Sequence, residues 1–141
     1  GLESLHVRMA RHCENGQAVA EFLASHPKIA YVNYCGLPGD KYHAVAEKYL
    51  PNGSCGVVSF GVKGGREAAA AFMGHLKIAA IETHVADART CCLHPASSTH
   101  RQMNDEQLIA AGVQPDLVRM SCGLEDKNDL IHDIAQALDQ I

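Results

Sequence analysis

The sequence predicts an α+β fold, a small and mostly antiparallel sheet covered by helices on one face, and three observations predict it. Several segments alternate apolar and polar residues as half-buried strands do. Others repeat apolar residues at steps of three and four, and the connections are short, with no internal repeat or linker. The 141 residues suit one domain with its own core, and 47% hydrophobic against 20% charged residues excludes a disordered chain.

Leu2, Leu5, Met9, Cys13, Gly16, Ala20 and Leu23 recur at helical steps and predict a long helix over 2–25. His26-Pro27 ends it, because a residue before proline is pushed out of the α region. Residues 28–35 alternate as a strand and stop at Gly36-Leu-Pro-Gly39, and a short helix over 40–50 is closed by Pro51-Asn-Gly53. Residues 54–62, rich in Val and Phe, form the most strand-like run. Lys63-Gly-Gly65 turns into an alanine-rich helix over 66–76. Residues 77–85 read as a further strand and 90–94 as a short extended piece. After an irregular Pro/Ser/Thr stretch, Asn104-Asp-Glu-Gln107 has the form of a capping box for a short helix ending at Gly112. A strand around Arg119 follows, then a helix from Asp126 with Leu130, Ile131, Ile134, Leu138 and Ile141 on one stripe. This order also suits a ferredoxin-like regulatory module, so fold class alone leaves function open.

The net charge of -4 and the scattered Lys and Arg form no basic stripe, which argues against nucleic acid as a partner. No apolar run approaches the ~18 residues of a bilayer span, and no signal-like segment opens the chain, so the expected location is the cytoplasm. Six cysteines scattered through helical and extended segments read as reduced, mostly buried thiols, with the vicinal pair Cys91-Cys92 the exception to watch. The chain opens on Gly1, directly into an amphipathic pattern with no capping residue before it, and reads as a piece of a longer polypeptide.

Leu117-Val-Arg-Met-Ser-Cys-Gly-Leu-Glu-Asp126 carries the most chemical information. As a strand it puts Arg119 and Ser121 on one face and Val118, Met120, Cys122 and Leu124 on the other. A guanidinium aimed by a strand is well placed to clamp a carboxylate through its planar fork of donors; pairing with Glu125, Asp126 or another surface acid is the competing reading. In the loop His94-Pro-Ala-Ser-Ser-Thr-His100, Ser97, Ser98 and Thr99 either donate to an anion beside Arg119 or satisfy local backbone groups. His84, Cys91, Cys92, His94 and His100 are potential metal ligands, but they lack ordered pairs such as C-x-x-C, and no metal site is expected. Gly61-Val-Lys-Gly-Gly65 matches no nucleotide-binding fingerprint and reads as a strand-to-helix turn. No spacing singles out a nucleophile and base, so no catalytic residue is expected here.

Taken together, Asn33-Tyr-Cys-Gly-Leu37, Lys48-Tyr-Leu-Pro51, Gly56-Val-Val-Ser-Phe-Gly-Val-Lys-Gly-Gly65, the loop His94 to His100, Ala111-Gly-Val113 and Arg119-Met-Ser-Cys-Gly-Leu-Glu-Asp126 resemble a known family. It is the C-terminal domain of the Cys/Met-metabolism enzymes dependent on pyridoxal phosphate. The resemblance covers essentially the whole chain, and Lys48-Tyr-Leu-Pro51 and Gly61-Val-Lys-Gly-Gly65 most resemble the O-acetylhomoserine sulfhydrylase (O-acetylhomoserine aminocarboxypropyltransferase) branch. It implies a single substrate-clamping domain over 1–141, of the kind that closes an aspartate-aminotransferase-like, fold-type I enzyme. The cofactor-binding domain would precede it in the same polypeptide, and the full-length enzyme would be a homotetramer.

The reaction implied is γ-replacement: acetate leaves O-acetylhomoserine and sulfide or a thiol takes its place, in homocysteine and methionine biosynthesis, with pyridoxal phosphate as electron sink. On this resemblance the carboxylate-clamping arginine falls on Arg119 and the loop threonine near the bound amino acid on Thr99. The position where relatives place Ser or Asn beside the substrate carboxylate falls on His84, a larger group able to carry a proton. The family's cofactor lysine lies in a Ser-x-Thr-Lys-type stretch, and none of Lys28, Lys41, Lys48, Lys63, Lys77 or Lys127 stands in one. The chain alone is therefore expected to hold no cofactor and to be inactive. The alternatives are a methionine γ-lyase, a cystathionine γ-synthase-like enzyme, and a stand-alone amino-acid-binding module.

Overall fold

In the computed structural model, which describes residues 1–141, the elements follow one another as α1 (Leu5–Ser25), β1 (Ile29–Asn33), α2 (His43–Tyr49), β2 (Val57–Val62), α3 (Gly65–His75), β3 (Ala80–Ile81), β4 (Cys91–Leu93), a 3₁₀ turn (Pro95–Ser97), α4 (Asp105–Ala110), β5 (Leu117–Ser121) and α5 (Lys127–Asp139). The five strands make one open sheet in the order β1-β2-β5-β4-β3, antiparallel at every pair except β3 with β4. This is the expected α+β class with a mostly antiparallel sheet.

Alternation in β2 and β5 sets the core. Val58, Phe60 and Val62 of β2, Val118 and Met120 of β5 and Cys92 of β4 are buried in one cluster with Val19 and Leu23 of α1, Phe72 of α3 and Ile134 and Leu138 of α5. Phe60 meets Phe72 edge to face, with centroids 5.8 Å apart. Helices α1, α3 and α5 thus cover one face of the sheet. On the other face Gly61 is the residue that fits, because the Tyr31 ring lies over it where a Cβ would stand. Gly64 and Gly65, both at positive φ, turn β2 into α3 as the glycine pair predicts. Asn104 and Gln107 form the expected capping box at α4.

Three expectations are corrected. Leu2 is 83% exposed and the first helix begins at Leu5. The helix expected from Asp40 begins at His43, because the Asp40 carboxylate accepts from the backbone N–H groups of Tyr34 and Tyr42 and holds a turn. The strand expected over 77–85 shrinks to Ala80–Ile81. Its first N–H groups, at Lys77, Ile78 and Ala79, donate to the buried Asp133 carboxylate of α5, so they make no ladder.

Candidate functional site

β5 lies between β2 and β4, and the register sets Ser59, Arg119 and Leu93 side by side on the face away from the helices. There Arg119 Nη2 donates to the Thr83 carbonyl at 2.8 Å, while Nε is buried without a partner. Arg119 takes part in none of the six ion pairs. The two acids proposed to neutralise it are engaged elsewhere. The Glu125 carboxylate accepts from Thr90 N–H and Oγ1, and Asp126 caps α5 by accepting from Asn128 N–H. A guanidinium carries five N–H donors and Arg119 spends one of them within the chain, so it retains donors for an acceptor.

A pocket of about 530 Å³ opens above this arginine, lined by Val57, Ser59, Thr83, Leu93, Thr99 and Arg119 among others, with no lysine. The lining is one fixed cation, the hydroxyl residues Ser59, Thr83 and Thr99, the imidazole of His100 and apolar walls, which suits a small molecule carrying a carboxylate. A cavity of about 580 Å³ between α1 and α2 carries Glu14 and Glu47 and neither Lys nor Arg, so its sign is wrong for a carboxylate.

The loop beside the pocket is held from both ends. His94, 1% exposed, places Nε2 2.9 Å from the Pro115 carbonyl and Nδ1 2.8 Å from Ser97 Oγ. With Nε2–H donating, Nδ1 accepts the Ser97 hydroxyl, a neutral imidazole, and burial pushes its pKa down. From α3, Arg66 donates to the carbonyls of Ala96 and Met103 and, through Nε and Nη2, to Asp105 Oδ1.

Of the residues singled out from sequence, Arg119 and Thr99 line the same pocket and His84 does not. His84 stands one residue beyond Thr83, 65% exposed at its side chain, with Nδ1 2.7 Å from the Glu82 carboxylate. Of the two readings open for Ser97 and Ser98 the local one holds: their hydroxyls donate to His94 Nδ1 and to the His94 carbonyl. Thr99 and His100 both line the pocket, and Thr99 Oγ1 lies 2.9 Å from His100 Nδ1. Ser121 shares the arginine's face as expected but is buried, its Oγ accepting from Ala86 N–H. All six cysteines are free thiols, and the vicinal pair splits, with Cys92 in the helix-covered core and Cys91 facing the other way. Burial raises the pKa of both, Cys92 well above the usual thiol range. Sequence reasoning missed Arg66 and the Thr83 carbonyl. An arginine in an alanine-rich helix reads as ordinary solvated surface, and a backbone acceptor has no sequence signature.

The family model for Cys/Met metabolism PLP-dependent enzymes matches residues 1–139. The chain is 45% identical over 142 residues to an O-acetyl-L-homoserine sulfhydrylase of Leptospira meyeri, covering 100% of this chain and 32% of that protein. It is 40% identical over 141 residues to an L-methionine gamma-lyase of Fusobacterium nucleatum subsp. polymorphum, covering 100% of this chain and 35% of that one. Among solved structures it is similar, with a TM-score of 0.89 and 38% identity, to a Campylobacter jejuni protein assigned as an O-acetylhomoserine (thiol)-lyase that carries N'-pyridoxyl-lysine-5'-monophosphate. That match covers 98% of this chain and 33% of the other. The chain thus spans about a third of the length of the curated relatives it matches.

Proposed function

Because this chain belongs to the Cys/Met-metabolism PLP-dependent enzymes, we propose that it forms the substrate-carboxylate side of the active site of an O-acetylhomoserine sulfhydrylase. In that enzyme sulfide or a thiol replaces the acetate of O-acetylhomoserine. The observation that carries the reading is Arg119, fixed by Thr83, free of any acidic partner and open to the pocket it shares with Thr99. The similarity to the Leptospira sulfhydrylase supports the choice of reaction.

Pyridoxal phosphate is the cofactor of the family and supplies the electron sink for bond breaking next to an amino group. The pocket does not fit the cofactor itself. No lysine lines it, and Lys63, beside the glycine turn, donates to the Pro27 carbonyl. It fits the amino acid's carboxylate. The guanidinium would receive both oxygens, the Thr99 hydroxyl would donate beside them, and Val57 and Leu93 would keep water from the apolar part of the substrate. His84 enters only as the neighbour of Thr83.

A second reading, elimination from methionine, is favoured by the similarity to the methionine gamma-lyase, since a carboxylate clamp serves both reactions equally. The test is an assay of the whole polypeptide containing this chain, with O-acetylhomoserine plus sulfide against methionine alone. Homocysteine and acetate as dominant products support the sulfhydrylase. Dominant keto-acid release from methionine overturns it.

A further inference from the structure

We propose that Glu82, His84 and Cys91 form a site for a thiophilic divalent cation of the Zn²⁺ class on the open face of the sheet edge. The parallel pairing of β3 with β4 creates the cluster. Ala80 N–H donates to the Thr90 carbonyl and Glu82 N–H to the Cys92 carbonyl, and the register sets Ala80 beside Cys91. Two residues on from Ala80, Glu82 projects to the same side as Cys91. His84 follows as the chain leaves the strand, and its Nδ1 lies 2.7 Å from the Glu82 carboxylate. One carboxylate oxygen, one imidazole nitrogen and the Cys91 sulfur all lie within 4.8 Å of one another.

Atoms bound to one tetrahedral zinc at roughly 2.0–2.3 Å stand about 3.3–3.7 Å apart, so the two more exposed side chains rotate to close on Cys91 and to part from their 2.7 Å contact when the ion binds. The mixed sulfur, nitrogen and oxygen set selects Zn²⁺ or its softer relatives over Mg²⁺ and Ca²⁺, which take oxygen alone. The surrounding field has the right sign. Asp87, Glu82 and Glu125 act on Cys91 against the single cation Arg89, and net negative charge favours a cation there. Binding converts the thiol to a metal thiolate and releases that proton to the buffer. Three ligands leave a fourth position for water.

Glu82 and His84 flank Thr83, whose carbonyl holds Arg119. A cation tying both to Cys91 fixes that carbonyl against β4, so the site would stiffen the arginine's anchor. The proposal stands on these side chains and not on the choice of reaction.

The experiment is titration of the metal-stripped protein with Co²⁺, following the thiolate-to-cobalt charge-transfer absorption, then displacement by Zn²⁺. The expected result is one equivalent bound with that absorption, about one proton released, and loss of the band in Cys91→Ala. His84→Ala and Glu82→Gln, at side chains 65% and 36% exposed, should each weaken binding about tenfold or more. They decide the matter if Cys91→Ala does not fold. Absence of a thiolate band, a band undiminished in Cys91→Ala, or unchanged affinity in His84→Ala and Glu82→Gln overturns the site.

Discussion

The guanidinium of Arg119 is anchored by a single hydrogen bond to the Thr83 carbonyl, while its Nε is buried with no partner at all. Of the five N–H donors of the guanidinium only one is bonded within the chain, which leaves donors for a carboxylate in the pocket. Replacing Arg119 with Ala in the whole enzyme should therefore weaken carboxylate recognition by about 2–5 kcal/mol, seen as a raised KM and lowered kcat/KM for O-acetylhomoserine. Arg119→Lys should recover only part of this, because an ammonium is a point charge without the planar fork. Unchanged KM in both variants would place the clamp elsewhere. His94 makes a different prediction, for stability. Burial holds its pKa below the ordinary 6.5, and protonation would cost it the bond that Nδ1 accepts from Ser97. In the window between the two values the unfolded state binds the extra proton, so this contribution is complete above about pH 6.5 and is lost as pH falls through the folded pKa. Denaturant midpoints should drop on acidification below pH 6.5, and less steeply in His94→Gln; equal slopes in the two proteins would remove His94 from the account.

At the scale of elements, α3 and the loop after β4 are one unit because Arg66 bridges them. Its head group reaches two carbonyls and Asp105 across sequence separations of 30 to 39 residues. Arg66→Ala should raise hydrogen exchange through residues 96–105 and cost about 1.5–3 kcal/mol of stability, the range for hydrogen bonds to a charged group. Exchange in β5 should change little; exchange rising equally there would mean the substitution loosens the whole sheet. The same element shows why parts of the fold were readable in advance and parts were not. The capping box at Asn104 and the glycine turn into α3 are local chemistry, complete within a few residues, and both stand where the sequence put them. The strand expected over 77–85 failed because Asp133, more than fifty residues away, takes its first N–H groups. The site divides in the same way. Alternation in β5 is enough to send Arg119 to the face opposite Met120, but the carbonyl that orients it comes from a segment 36 residues distant.

Across the whole molecule the two faces of the sheet are unequal. Helices α1, α3 and α5 bury one, while the other carries Arg119, Thr83 and Thr99 on a pocket walled from one side by this chain. The Campylobacter jejuni protein carries its pyridoxal group on a lysine, and the six lysines here are placed for other work. Lys28 donates to the carbonyls of Leu138 and Ile141, Lys63 to that of Pro27, and Lys127 to the Glu14 carboxylate. Lys41 and Lys48 lie over the rings of Tyr42 and Tyr49, and Lys77 lines a separate cavity beside Asp133. None lines the Arg119 pocket. These 141 residues, incubated with pyridoxal phosphate, reduced with borohydride and mapped by peptide mass, should therefore carry no stoichiometric pyridoxyl group on any one lysine. That outcome agrees with a chain that holds the substrate's carboxylate while the cofactor's lysine comes from elsewhere in the polypeptide. A single lysine labelled at full occupancy would put the cofactor within these residues, and Arg119 would then have to be reinterpreted around it.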